Sequence, residues 1–138
     1  MIRILATSLL SLSLIASEAF ATSEDDLIYI DGLAYKKFTD KPFTGVVDEG
    51  QHRGTIKNGI FEGLWIGYWS NGRVEFKGAH KNGTREGPWV RYNIIGRIWL
   101  KGAFKNGQRE GPWLWYNEDG TKDENLSGTY RNDKKVSD

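Results

Sequence analysis

Gly63-Leu64-Trp65-Ile66-Gly67-Tyr68-Trp69-Ser70-Asn71-Gly72 decides the fold, because its framework returns twice at a spacing of 24 residues. Gly87, Trp89, Tyr92 and Gly96 repeat it, and Gly111, Trp113, Tyr116 and Gly120 repeat it again. The second half of the unit recurs as well. Gly54, Gly78 and Gly102 keep the period, and Asn58-Gly59, Asn82-Gly83 and Asn106-Gly107 follow them. A period of this size marks an array of small supersecondary units, each needing its neighbours to bury a face. Such an array copies the same residue types along a surface. An active site needs different types converging on one point, so the pattern speaks against catalysis.

Each full unit reads strand, turn, strand, turn, which predicts an all-β meander of about ten short antiparallel strands, elongated and built of hairpins. Asn117-Glu118-Asp119-Gly120-Thr121 fits a type I turn closed by a left-handed Gly, a three-residue loop. Ser70-Asn71-Gly72 and Lys81-Asn82-Gly83 suit the same loop, and a two-residue Asn-Gly turn is the alternative, which slips the register. With three-residue loops, Leu64, Ile66, Tyr68, Val74 and Phe76 share one face, continued by Pro88, Val90, Tyr92, Ile98 and Leu100 and then by Leu114, Tyr116 and Leu126. The opposite face then carries Trp65, Trp89 and Trp113 with Trp69, Trp99 and Trp115, and Arg73, Arg97, Lys77 and Lys101 lie among them.

Upstream of the array the character changes. Arg3, the uncharged apolar run Ile4 to Ala16, and Ala19-Phe20-Ala21 read as a cleavable signal peptide over residues 1–21. The run is too short to cross a bilayer, which takes roughly 20 residues; the competing reading is a buried N-terminal helix. The mature domain then covers 22–138, with a lead-in at 22–50 and units at about 51–62, 63–86, 87–110 and 111–138. The last unit holds a two-residue insertion and a polar end suited to capping an array. Leu33-Ala34-Tyr35 and Phe43 to Val47 read as short strands around Thr39-Asp40-Lys41-Pro42. An exported chain is expected in the periplasm or outside the cell. Its 138 residues allow one domain, and 19 Lys and Arg against 18 Asp and Glu give no case for nucleic acid. With no cysteine, disulfides, thiolate nucleophiles and Cys-based metal sites are excluded.

The quoted unit, together with Lys81-Asn82-Gly83-Thr84-Arg85-Glu86-Gly87, resembles the variant MORN repeat. Asp31-Gly32-Leu33-Ala34-Tyr35 with Lys41-Pro42-Phe43-Thr44-Gly45 is similar to the lead-in of bacterial proteins of the YwqK-like antitoxin family, which carry such repeats. The resemblance covers roughly residues 31–133. It implies a β-repeat scaffold that contacts membrane phospholipid or protein. An export signal runs against neutralising a cytosolic toxin, whereas an immunity-like role against an envelope or exported partner fits it.

Candidate chemistry is sparse. His80 shares a column with Ile56, Phe104 and Tyr130, which reads as a ring packed on the sheet, and His52 has no clustered partners for a metal. Glu62, Glu86 and Glu110 precede the repeated Gly and read as a surface charge ladder. No catalytic residue, metal ligand or cofactor is expected. Lys57, Lys81 and Lys105 form one basic column and Lys77 and Lys101 another; such columns protect sheet edges or meet anionic groups. Trp65, Trp89 and Trp113 read as structural. Trp69, Trp99 and Trp115 break the repeat and are the aromatic contact candidates, since Trp anchors interfaces. The expected function is non-catalytic binding of a protein partner. The alternative is peripheral binding of anionic lipid or envelope polymer through the Lys columns, and the apolar face offers a surface for self-association.

Overall fold

The computed structural model describes residues 22–138, and the expected signal peptide lies outside them. The strands are β1 (Thr22–Ser23), β2 (Leu27–Ile30), β3 (Leu33–Lys36), β4 (Gly45–Glu49), β5 (His52–Lys57), β6 (Ile60–Tyr68), β7 (Val74–Lys81), β8 (Thr84–Tyr92), β9 (Ile98–Lys105), β10 (Gln108–Trp115), β11 (Gly128–Arg131) and β12 (Lys134–Ser137). A single 3₁₀ turn, Glu24–Asp26, follows β1. From β4 to β12 each strand pairs with the next, in one ten-stranded sheet that β1 joins at the β4 edge. The described residues are therefore all-β, but the sheet is mixed, because β1 runs parallel to β4. Leu33–Lys36 meets the segment at Pro42 only through a single antiparallel bridge, Tyr35 with Pro42, and the Phe43 N–H donated to the Ala34 carbonyl at 2.8 Å. It forms a separate two-stranded sheet with Leu27–Ile30 across an Asp31-Gly32 turn.

Two kinds of turn alternate along the meander. At one end of the hairpins the loops hold three residues, as the spacing predicts. Asn117 N–H donates to the Thr121 carbonyl at 2.8 Å, Gly120 N–H donates to the Asn117 carbonyl at 3.0 Å, and Gly120 has φ +89°. Gly72 and Gly96 close equivalent loops. At the other end the expectation for Lys81-Asn82-Gly83 is corrected. Lys81 pairs directly with Thr84, and Asn82 and Gly83 have φ of 50° and 78°, so this is a two-residue type I′ turn. Asn58-Gly59 and Asn106-Gly107 turn the same way, and so does Asn132-Asp133. The primed turn wins because its twist matches that of the flanking strands.

The expected division of faces needs a second correction. Tyr68 pairs with Val74, but the next residue back, Gly67, pairs with Phe76, leaving Glu75 as an extra residue. Trp99 is extra in the same way between Ile98 and Leu100. One extra residue inverts every side chain beyond it. Phe76 and Leu100 therefore join the face of Trp65, Trp89 and Trp113, while Lys77 and Lys101 leave it for the face of Leu64, Val90 and Leu114.

The Trp rings explain the other glycine column. The rings of Trp65, Trp89 and Trp113 lie across Gly54, Gly78 and Gly102, where a Cβ would approach ring atoms to 2.4, 1.9 and 2.2 Å. Two buried clusters result. One joins Leu27, Ala34, Val47, Ile56 and Trp65, and so ties the small sheet to the large one. The other joins Phe104, Trp113, Trp115 and Tyr130.

Candidate functional site: an aromatic trough

The Trp-bearing face is a long run of rings in mutual contact. Phe61 meets Trp65 at 4.3 Å between centroids, Phe76 stacks on Trp89 at 5.2 Å, Phe104 meets Trp113 at 4.9 Å, and Trp113 meets Trp115 at 5.3 Å. Edge-to-face contacts of His80 with Trp65 and Trp89, and of Trp89 with Phe104, close the remaining gaps. Such pairs stabilise by about 0.5–1.5 kcal/mol beyond their burial. Over these rings lies an open trough of about 1050 Å³.

Charged groups stand over the rings. The Arg85 guanidinium lies 5.1 Å from the Trp89 ring and 4.9 Å from Phe104. Arg91 lies 5.9 Å from Trp69 and 5.0 Å from Trp99, and is paired with Glu75. Arg109 lies 4.4 Å from the Tyr130 ring and is bonded to Asp133, whose carboxyl is held below its ordinary value by hydrogen bonds from the Arg109 backbone and side chain. At the opposite end His52 Nδ1 meets Glu24 at 2.7 Å. Two polar atoms under this layer have no hydrogen-bond partner among the described residues, His80 Nδ1 and Arg91 Nε. His80 takes the expected place among the rings, and burial, then the charge of Arg85, pushes its pKa down.

The expected contact residues fall into separate places. Trp115 is buried at 9% exposure in the second cluster, while Trp99 remains 42% exposed. Both border a side pocket of about 340 Å³. Trp69 donates its indole N–H to the Tyr92 carbonyl at 3.2 Å, beneath Arg91. Lys57, Lys81 and Lys105 are exposed at the type I′ turn ends. Strand alternation puts Lys81 with Lys77 and Lys105 with Lys101. Of these, Lys77 and Lys101 line an apolar groove of about 710 Å³ on the back of the sheet, with Leu64, Pro88, Val90, Pro112 and Leu114. None of these five lysines forms a salt bridge among the described residues.

Sequence reasoning missed the trough arginines. Arg85 and Arg109 are 24 apart and share strand parity with Trp89 and Trp113, a signal that was present; the change of face that brings Phe104 beside Arg85 was not. The glutamate column is also corrected. Glu62, Glu86 and Glu110 accept the backbone N–H of Asn82, Asn106 and Asn132 at 2.9, 2.7 and 3.2 Å, so each holds down the next type I′ turn. Thr44 Oγ1 does the same for Asn58 at 2.8 Å. No family model matches the chain, and no curated protein matches it.

Proposed function

We propose that the chain is an exported, non-catalytic binding protein that receives a protein partner along the aromatic trough. The observation that carries this reading is the row of Arg85, Arg91 and Arg109 over Trp, Phe and Tyr rings in an open groove. Arg, Trp and Tyr are the residues that dominate the energy of protein interfaces. A rigid β-scaffold presents them with little ordering cost on binding. Export follows from the signal-like sequence at 1–21, and the resemblance to MORN-type repeats and to the antitoxin family fits an immunity-like role against an envelope or exported partner.

The test is site-specific photo-crosslinking. A benzophenone amino acid at Trp99, on the trough side, is expected to capture one discrete protein from an envelope extract, and the same group at Val90 on the back face is not. Trp69→Ala should lower the yield, whereas changing Lys57, Lys81 and Lys105 together to Gln should not. Capture from Val90 alone overturns the reading.

A second reading rests on the back face, where Lys77 and Lys101 line a groove with apolar Leu64, Val90 and Leu114. Basic residues around an apolar patch suit an anionic lipid or envelope polymer. Co-sedimentation with anionic vesicles that falls with salt and is lost in the Lys77→Gln/Lys101→Gln variant would favour it.

A further inference from the structure

The last two type I′ turns differ by one residue, and that difference sits in the trough. Each turn docks on the strand before it through one backbone bond: Gly107 N–H donates to the Arg85 carbonyl at 2.9 Å, and Asp133 N–H donates to the Arg109 carbonyl at 3.2 Å. Arg85 and Arg109 occupy the same position of their units, as do Gly107 and Asp133. At the second station the turn brings its own carboxylate. Asp133 Oδ1 accepts the Arg109 backbone N–H at 2.8 Å and Nε–H at 3.1 Å, and Arg109 Nη2–H donates to the Asp133 carbonyl at 3.0 Å.

At the first station Gly107 brings no side chain, and among the described residues no carboxylate lies within salt-bridge distance of Arg85. The guanidinium is nevertheless placed as Arg109 is, over two rings. Its surroundings are also more open. Trp65 and Trp113 donate their indole N–H to the Thr55 and Ala103 carbonyls at 3.1 and 3.0 Å. Trp89 makes no such bond among the described residues; its ring lies flat against Phe76, with an interplanar angle of 9°. Trp89 is half-buried and Arg85 exposed.

We infer that Arg85, framed by Trp89, Phe104 and Gly107, is the anchor for an acidic side chain of the partner protein, which takes the place that Asp133 takes on Arg109. This rests on the trough being the protein-binding surface. A carboxylate is favoured by the molecule's own precedent: Arg91 and Arg109, the two other ring-stacked arginines of the trough, are each paired with one. A planar guanidinium held over rings has little freedom left to lose, so its hydrogen bonds form with small ordering cost.

The experiment uses the purified protein and an N-acetylated, C-amidated hexaglutamate peptide at low salt, read by tryptophan fluorescence and calorimetry. Wild type is expected to bind with a fluorescence change. Arg85→Gln should weaken binding about tenfold or more, the scale of losing a charged hydrogen-bonded partner. Gly107→Asp should weaken it similarly, by giving Arg85 an internal carboxylate. Gly107→Asn carries the same bulk, the same positive φ and the same 2.9 Å approach of its Cβ to Thr84 Cγ2 without the charge, so it should stay within about threefold of wild type; Asp133 at φ 66° shows that a side chain is accepted at this turn position. Lys37→Gln/Lys41→Gln, two exposed lysines of the lead-in that line neither groove, should change nothing. Circular dichroism confirms that each variant is folded.

The inference is overturned if hexaglutamate does not bind wild type, if Arg85→Gln binds as wild type does, or if Gly107→Asp and Gly107→Asn behave alike. Tripolyphosphate binding more tightly than hexaglutamate, and depending on Arg85, would make this a phosphate site and overturn the carboxylate assignment. If Trp99 crosslinks a protein whose yield ignores Arg85→Gln and Gly107→Asp, the anchor fails alone. If nothing crosslinks, the binding reading fails, and the peptide titration still decides the anchor.

Discussion

His80 sits in a column otherwise filled by Ile56, Phe104 and Tyr130, and its neighbours are the rings of Phe61, Trp65 and Trp89 with Arg85 nearby. Burial and then Arg85 hold its pKa below the ordinary 6.5. The unfolded chain therefore binds more protons than the folded one between that depressed value and about 6.5, and stability falls as pH drops through this window. His80→Phe removes the titrating group and the unpartnered Nδ1. Melting temperature measured at pH 7.5 and pH 5 should fall less for this variant than for wild type; equal acid sensitivity would clear His80 of the effect. A second residue-scale expectation concerns Gly102, where a Cβ would lie 2.2 Å from the Trp113 ring. Gly102→Ala should cost about 1–3 kcal/mol through overpacking, seen as a lower urea midpoint. The repeat marked Gly102 as special but not why: the glycine signal is the same whether a ring or a left-handed backbone demands it. Gly120, with φ +89° and nothing within 4 Å of a built Cβ, is the other case.

At the scale of the element, the hairpin loops closed by Gly72, Gly96 and Gly120 were readable because turn chemistry is local. The type I′ turns were present in the sequence as Asn-Gly pairs, and giving Asn82-Gly83 the longer loop was a choice between two local signals. The bulges at Glu75 and Trp99 were not readable, because no residue type commits the chain to them. With them went the assignment of Lys77, Lys101, Phe76 and Leu100 to faces, and hence the trough itself. The glutamates act at this scale. Glu86→Ala should destabilise by about 1 kcal/mol, because the Asn106 N–H loses its charged acceptor to water. Glu86→Gln should retain most of that stability. Urea unfolding with an unchanged slope and a shifted midpoint is the check.

Across the whole molecule the buried clusters occupy the two ends of the sheet, around Ile56 and Trp65 and around Trp113 and Tyr130, and half-buried Trp89 lies between them. Trp113→Ala should therefore cost about 3–5 kcal/mol, and Trp89→Ala distinctly less, compared by urea midpoints; equal losses would mean the core is continuous through β8. The turn-docking bonds also have a direction. Gly59, Gly83, Gly107 and Asp133 donate backward to Phe43, Phe61, Arg85 and Arg109, and the acceptors for Asn58, Asn82, Asn106 and Asn132 all lie earlier in the chain. Each type I′ turn thus finds its docking site already built when synthesis proceeds from the N-terminus, whereas the opposite loop at Trp69 to Arg73 donates forward to Tyr92 and Ile94. A chain leaving a narrow exit can condense one hairpin at a time, like a rope coiled as it is paid out. A fragment ending near Lys105 keeps the docking bonds of both type I′ turns up to that point, whereas one beginning near Gln51 starts with its first turn unseated.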